Sequence, residues 1–387
     1  MSFPRLRICE ISHFFCYAAY RQKAAAMARL TGERELLLTP ADWTEDFHDT
    51  GSECDNSNEY ILRARRTLLN WRAWGPRRFQ LFLLSPRIVS DLREYQPDII
   101  VVDSEPFGLL AFELALIRRL FFTRTALVVH SSQSLYKNYP FPFSRTEAFV
   151  LAQATTLFAR TEAVKQVLLR KGCRKPVHVI PHGVDTQRFS PVPTGQRDDT
   201  AHQGPLRIGF VGALARHKGV DTLLEAADGL RTPFTLSIAG DGPERQHLEV
   251  KASTSPAASH IRFRGSVPNA DLPDFLRTLD VLVVPSITMP NWNEQFGRII
   301  IEAMACAVPV IGSTCGAIPE IVGEGGVVFP ERDAGQLRAT LERLATDRSA
   351  LQGLSQRAQQ RVMEHFSWEV VALRILEIYH ELLGLAT

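Results

Sequence analysis

The chain has 387 residues, of which 45% are hydrophobic and 22% are charged. This composition excludes a disordered or fibrous protein, and the length favours two domains, since a single hydrophobic core rarely grows so large. No apolar run reaches the roughly 18 residues that a membrane-spanning helix needs, and the start MSFPRLRICEISH has no signal-peptide core. We therefore expect a globular, cytoplasmic protein.

Cysteine usage and charge narrow the function classes further. The six cysteines form no C-x-x-C pair and several lie in apolar runs, so neither disulfides nor zinc are expected. The net charge of +2 conceals an asymmetry, because residues 1–195 contain 26 Lys and Arg against 19 Asp and Glu. This basic half is compatible with an anionic membrane or an anionic acceptor, but the excess is too small to indicate nucleic-acid binding.

Short strand-like runs alternate with helical patterns along the first half, which is typical of parallel α/β layers. Strands are predicted at RLRICEIS, ELLLTP, 98–104, 126–130, 155–161 and 177–183, with helices at QKAAAMARL and FGLLAFELALIRRLF. The polar residues near 45–60 are predicted to form a loop. Residues 190–205 combine three prolines, two glycines and several charges, as an interdomain connection does.

A second α/β series follows this connection. Its strands are predicted at 207–213, 234–240, 261–265, 280–286, PVIGS and GVVFP, with a helix near 297–306 and a helical tail from about Ala334. We predict a domain over 1–190, a linker over 191–205, a second domain over 206–370, and a helix over 371–387 that packs back toward the first domain. Two doubly wound domains would bind ligands beyond the carboxyl ends of their strands.

Glu294 and Glu302 carry the clearest chemical signal. On one continuous helix they would lie about 80° out of register, so they would not form a facing pair. A better geometry places Glu294 on the loop before the helix and Glu302 in its second turn. The helix N-terminus beside Gly297 would then offer amides and a partial positive charge to a phosphate, while the carboxylates accept sugar hydroxyls. The alternative is two solvated helix carboxylates, as in most isolated E-x7-E patterns.

The surrounding segment EQFGRIIIEAMACAVPVI resembles the E-x7-E signature region of family 4 glycosyltransferases with the GT-B architecture. Further matches are IPHGVDTQRFSP, GFVGALARHKGVDTLLEAA, SIAGDGPERQHL and IRFRGSVP. The resemblance extends from about Ala126 to the end and is weak before it. It implies an α/β protein of two Rossmann-like doubly wound domains that face each other across a deep cleft. It also implies a retaining transferase that moves a hexose from a nucleotide-diphosphate sugar to an acceptor hydroxyl.

The resemblance further implies roles for individual residues. Glu302 would hold the ribose hydroxyls, and Glu294, with the backbone of Phe296, Gly297 and Arg298, would contact the donor hexose and diphosphate. Three further positions match the family: Lys218 would neutralise the diphosphate, Val267 would receive the base through main-chain groups, and His130 would reach the transferred sugar from the first domain. A surface lysine and a satisfied buried histidine are the alternatives for Lys218 and His130.

Two departures from the family pattern affect the donor site. The usual G-R-L reads Gly212-Ala213-Leu214, so the arginine that partners the lysine is absent, and Arg216 is a candidate substitute. The first-strand loop SHFFCYAAYRQ contains no glycine, which leaves donor phosphate contacts from the first domain in doubt.

The sequence suggests a mechanism but leaves alternatives open. No D-x-D motif is present, so neither a metal nor another cofactor is expected, and a UDP-sugar donor is favoured over a GDP-sugar. No carboxylate stands out as a nucleophile, which favours a front-face reaction in which the leaving phosphate helps to deprotonate the acceptor. The acceptor is open: a polysaccharide, a lipid-linked sugar or a small molecule. A sugar phosphorylase, a nucleotide-sugar epimerase and a catalytically silent binding protein are the rivals.

Two stretches of the first half, residues 70–84 and 116–124, mix arginine with aromatic residues and leucine. They could lay the first domain on an anionic lipid surface, which would make the protein peripheral to the inner face of a membrane. The alternative is a helix with an apolar core face and a solvated basic face.

Overall fold

A computed structural model describes residues 5–41, 44–45, 48–49, 57–70, 82–192 and 204–385. The chain divides into two compact units. The first comprises Met1–Pro181 and Trp368–Thr387, and the second comprises His182–Ser367. Of the predicted linker, residues 193–203 lie outside the described residues. The division between the units falls earlier, after Pro181.

The first unit alternates strands with helices. Its elements before the second unit are β1 (Ile8–Ile11), α1 (Gln22–Thr31), β2 (Glu35–Pro40), β3 (Thr44–Glu45), β4 (His48–Asp49), β5 (Tyr60–Arg65), β6 (Thr67–Asn70), β7 (Phe82–Leu84), α2 (Arg87–Tyr95), β8 (Ile99–Val102), α3 (Leu109–Phe121), β9 (Ala126–Ser131), α4 (Phe143–Gln153), β10 (Thr156–Ala159), α5 (Glu162–Arg170) and β11 (Val177–Val179). The strand β5 was missed by the sequence analysis, which assigned no element to this part of the chain.

The second unit repeats this alternation. Its elements are β12 (Leu206–Val211), α6 (Val220–Asp228), β13 (Phe234–Ala239), α7 (Arg245–Ser253), β14 (Ile261–Gly265), α8 (Leu272–Arg277), β15 (Val281–Val284), α9 (Arg298–Ala305), β16 (Val310–Ser313), α10 (Ile318–Val322), β17 (Gly326–Phe329), α11 (Ala334–Thr346) and α12 (Arg348–His365). The last helix, α13 (Trp368–Leu383), belongs to the first unit.

The main sheet of the first unit has the strand order β11-β10-β9-β8-β1-β2-β5, and its pairs are parallel. Its central strands are buried on both faces, so they read as continuous apolar runs such as IIVV in β8. Helices α2 to α5 contribute to the core on one face, and α1 and α13 contribute to the core on the other.

The sheet of the second unit has the order β14-β13-β12-β15-β16-β17 and is also parallel. The strand order reverses between β12 and β15, and in open α/β sheets ligands bind outside the carboxyl ends of the strands at such a switch point. The predicted fold class, two Rossmann-like α/β units, is confirmed. Among the residues that the structure describes, no helix is both long and apolar enough to cross a bilayer.

Candidate active site

Two loops of the second unit meet at the switch point of its sheet. One is the 3-10 turn Arg216–Lys218 after β12, and the other runs from Pro285, after β15, to the start of α9. Gly219 has φ +66, and a Cβ there would lie 2.0 Å from the carbonyl oxygen of Pro285. Only glycine allows the two backbones to come this close. Lys218 is thereby brought beside a loop that is distant in sequence.

Lys218 and Glu294 form an ion pair although they are 76 residues apart. The Nζ atom of Lys218 donates to Oε2 of Glu294 at 2.7 Å, and the hydroxyl of Ser286 donates to the same oxygen at 3.0 Å. The lysine and glutamate side chains are 23% and 12% exposed. Within the described part of the chain, Oε1 of Glu294 accepts no hydrogen bond. One carboxylate oxygen is held by the protein, and the other remains able to accept from a hydroxyl group.

The loop that carries Glu294 is braced by its neighbours. Met289 and Trp292 exchange backbone hydrogen bonds of 2.8 and 3.2 Å, and Nζ of Lys218 lies 4.9 Å from the centroid of the Trp292 ring. The His217 ring lies 4.1 Å from the same indole. Burial and the nearby Lys218 lower the pKa of His217, which favours its neutral form. Trp292 therefore forms one wall beside the ion pair.

The backbone on either side of Glu294 is also fixed. Gly316 has φ +56, and a Cβ there would lie 2.2 Å from the carbonyl oxygen of Glu294, which accepts a 2.9 Å hydrogen bond from the amide of Ala317. Helix α9 then begins after Gly297, which has φ +76. The amides of Phe296 and Gly297 donate no hydrogen bond to any described residue. These amides, with the positive end of the helix, suit an anionic oxygen.

Glu302 lies in the second turn of α9 and is 9% exposed. Its Oε1 atom lies 3.6 Å from Nη2 of Arg298, one turn earlier. Burial raises the pKa of Glu302 above its usual value, against the lowering effect of Arg298 and Arg188. Arg188 also donates to the side-chain oxygen of Asn269 at 3.1 Å. The two glutamates thus occupy different surroundings, as the sequence geometry predicted.

The remaining predicted site residues divide between the two units. Gly212 directly follows β12, Arg216 is exposed on the same turn as Lys218, and Val267 is half-buried in the loop after β14. The side chain of Arg216 makes no hydrogen bond or ion pair with the residues that the structure describes. His130 lies in β9 of the first unit, 1% exposed, with its ring edge-on to Phe158 at 5.2 Å. Its role, like those of the others, stays a prediction.

Ser286 and Trp292 are the site residues that the sequence analysis missed. The sequence signal for them is their position, since both lie within eight residues before Glu294 on the loop that follows an apolar strand. No group of three or more His, Cys, Asp or Glu side chains in the described ranges is arranged to hold a metal ion.

Known protein families match both units. Residues 25–188 match the family described as Glycosyltransferase Family 4, and residues 194–361 match Glycosyl transferases group 1. Among solved structures, sucrose-phosphate synthase from Thermosynechococcus elongatus has a TM-score of 0.72 at 22% identity, covering 98% of this chain and 100% of its own. Anabaena HepE in complex with UDP has a TM-score of 0.73 at 19% identity, covering 97% and 100%. The fold is therefore that of the GT-B class, two Rossmann-like units in one chain.

The predicted family is also confirmed: the chain belongs to the family 4 glycosyltransferases. It is 30% identical over 284 residues to the D-inositol 3-phosphate glycosyltransferase of Salinispora arenicola, covering 66% of this chain and 62% of that protein. It is 26% identical to the 2-deoxystreptamine glucosyltransferase of Streptomyces kanamyceticus, covering 67% and 69%. The matched part thus spans about two thirds of the length of these relatives.

Proposed function

We propose that the second unit binds a nucleotide-diphosphate sugar, and that the protein transfers its hexose to an acceptor hydroxyl with retention of anomeric configuration and without a metal ion. The observation that carries this proposal is the Lys218–Glu294 pair, in which one carboxylate oxygen is bound and the other is open. A lysine stabilises the negative charge that develops on a diphosphate leaving group, and the neighbouring carboxylate oxygen can accept hydrogen bonds from the sugar hydroxyls.

The diphosphate would lie between Lys218 and the amides of Phe296 and Gly297. Lys218 is paired with Glu294 at 2.7 Å. A bound diphosphate would share this lysine, and the attraction would strengthen as the leaving group gains negative charge in the transition state. Arg216, on the same turn, is free to swing toward the diphosphate in place of the arginine that the family usually has.

The sugar and the ribose would each meet one glutamate. Oε1 of Glu294 would accept hydroxyl groups of the hexose, and Glu302, nearly buried in α9, would accept those of the ribose. In this arrangement both carboxylates are assigned to hydroxyl groups of the donor, so neither is left to act as a nucleophile. This supports a front-face reaction. A UDP-sugar is the favoured donor, and the structures of Anabaena HepE in complex with UDP and with UDP-glucose support this choice.

A donor panel followed by two variants tests this proposal. UDP-, GDP- and ADP-sugars are screened by thermal shift, since a ligand that binds only the folded state raises the melting temperature. Turnover with the best donor is then compared for Lys218→Ala and Glu294→Gln, with Glu364→Gln, an exposed carboxylate on α12, as the control. We expect each site variant to lower kcat by about 100- to 1000-fold with an unchanged fold, as is typical for loss of one preorganised electrostatic group.

Three outcomes would contradict the proposal. Near-normal transfer by both variants would remove the assigned roles. Product formation that needs inorganic phosphate, or conversion of the donor without an acceptor, would indicate a phosphorylase or an epimerase. Nucleotide binding without even slow donor hydrolysis would indicate a silent binding protein.

A further inference from the structure

The end of helix α3 exposes apolar side chains that the core does not use. The buried face of this helix, which includes Leu110 and Leu114, packs in the core of the first unit. On its last two turns, however, Leu116, Leu120 and Phe121 are 37%, 60% and 53% exposed. A helix with a solvated basic face would place polar residues at these positions, so the exposed cluster points to another contact.

Arginines flank this cluster on α2, on α3 and directly after α3. The guanidinium of Arg93 on α2 lies 5.4 Å from the centroid of the Phe121 ring, and that of Arg119 on α3 lies 6.0 Å from the Phe149 ring on α4. Arg124 follows α3. We call this surface the α3 face, defined by Leu116, Leu120, Phe121, Arg93, Arg119 and Arg124.

The positive charge of the α3 face is not balanced by nearby carboxylates. Among the described residues, the side chains of its three arginines form no hydrogen bond or ion pair. The carboxylates of α2, α3 and α4 are engaged elsewhere: Glu94 and Asp91 bind Arg63, Glu147 binds Lys171, and Glu113 accepts from the amide of Leu84. The arginines are therefore available to an anionic partner.

We infer that the α3 face docks the first unit on the surface of an anionic lipid bilayer. Leucine and phenylalanine side chains between arginines suit the boundary between headgroups and acyl chains, where the apolar groups leave water and the guanidinium groups meet phosphates. Self-association through this face would bring arginines of two copies together, and like charges disfavour that contact. This inference does not depend on the donor chemistry of the second unit.

Flotation with lipid vesicles tests the inference on the full chain. Vesicles of phosphatidylcholine mixed with phosphatidylglycerol are compared with vesicles of phosphatidylcholine alone, at low and moderate salt. Two double variants alter the face. The leucine–phenylalanine variant combines Leu120→Gln with Phe121→Gln, and the arginine variant combines Arg119→Gln with Arg124→Gln. The matched control, Val250→Gln with Arg343→Gln, changes an exposed apolar residue and an exposed arginine of the second unit. Circular dichroism checks that each variant stays folded, which we expect because all six positions are exposed.

The expected result is binding to the anionic vesicles only. The arginine variant should bind about 25-fold more weakly, since each basic residue near an anionic surface contributes about fivefold in affinity. The leucine–phenylalanine variant should lose binding, and the control should bind like the original protein. Absence of binding at low salt, or equal loss in the control, would overturn the inference. A third outcome would also overturn it: light scattering shows a dimer, the leucine–phenylalanine variant is a monomer, and the original protein binds no vesicles. The face would then be a contact between two copies of the chain.

Discussion

One lysine–glutamate pair of the first unit differs from one of the second unit in what surrounds it. In the first unit, Lys23 on α1 binds Glu10 on β1, with side chains that are 7% and 1% exposed. In the second unit, Lys218 and Glu294 are 23% and 12% exposed, and they lie on loops at the carboxyl edge of the sheet. The first pair is therefore enclosed and out of reach of a ligand, whereas the second keeps a carboxylate oxygen and an ammonium group accessible to one.

The largest expected effect is on stability, from breaking the enclosed pair. Lys23→Met leaves Glu10 buried without its cation, and removal of one partner of a buried pair costs about 3–5 kcal/mol. Lys218→Met should cost less than Lys23→Met, since water reaches more of the Lys218–Glu294 pair. Urea denaturation of the full chain measures both. The double variant Glu10→Gln with Lys23→Met should recover part of the loss. Equal destabilisation by the two lysine variants would mean that the pairs do not differ as described.

The second prediction concerns the hydroxyl group that positions the accessible pair. Ser286 is 1% exposed and donates to Oε2 of Glu294 at 3.0 Å. Ser286→Ala should lower kcat about tenfold, the effect of losing one hydrogen bond to a charged group. A steady-state assay should show the loss in kcat with little change in KM for the donor. Ser286→Thr should restore turnover, which separates a positioning role from a general packing defect. Full activity of the alanine variant would exclude this role.

The sequence could predict the placement of site residues that lie close together in the chain, but not contacts between segments that are far apart in it. Glu294, Gly297 and Glu302 belong to one loop and one helix, so their spacing alone predicts their placement. The contact of Lys218 with Glu294 depends on β12 lying beside β15, although two strands separate them in sequence. Sequence order does not show such adjacency, so neither the ion pair nor the role of Ser286 was predicted.

The buried charges of the first unit escaped the sequence analysis for a related reason. Glu10 and Glu35 read as single polar residues within the apolar strands ICEI and ELLLTP. Their burial arises because β1 and β2 are parallel neighbours and because α1 and α13 contribute to the core on one face of their sheet, although α13 lies at the far end of the chain. A local pattern contains no information about a helix that returns from so far away.

The third prediction concerns the pH dependence of stability that Glu35 causes in the first unit. Glu35 is buried near the enclosed pair, and burial together with the Glu10 charge raises its pKa to about 8, against the lowering effect of Lys23. Neither of its oxygens has a hydrogen-bond partner in the described part of the chain. The folded state holds this proton more tightly than the unfolded state does. The resulting contribution to the free energy of unfolding is fully present below about pH 4.5, decreases as the pH rises, and is lost above about pH 8.

Glu35→Gln removes this titration. Between pH 7 and pH 9 the original protein should lose about 1 kcal/mol of unfolding free energy relative to the Glu35→Gln variant. Urea denaturation at several pH values measures the difference. Glu364→Gln, at an exposed position on α12, provides the control and should show no such trend. A difference between Glu35→Gln and the original protein that stays constant with pH would contradict the raised pKa.

The smallest expected effect is a change in the affinity for UDP, the donor without its sugar, at the Lys218–Glu294 pair. Glu294 binds Lys218, so UDP must compete with this carboxylate for the ammonium group. Glu294→Gln removes the competing charge and should tighten UDP binding about two- to fivefold, the affinity equivalent of a partly exposed ion pair. The same variant should lose turnover, because the hexose hydroxyls lose their acceptor. Calorimetric titration of UDP measures the first effect. Weaker UDP binding in Glu294→Gln would show that the carboxylate orients Lys218 for the diphosphate instead of competing with it.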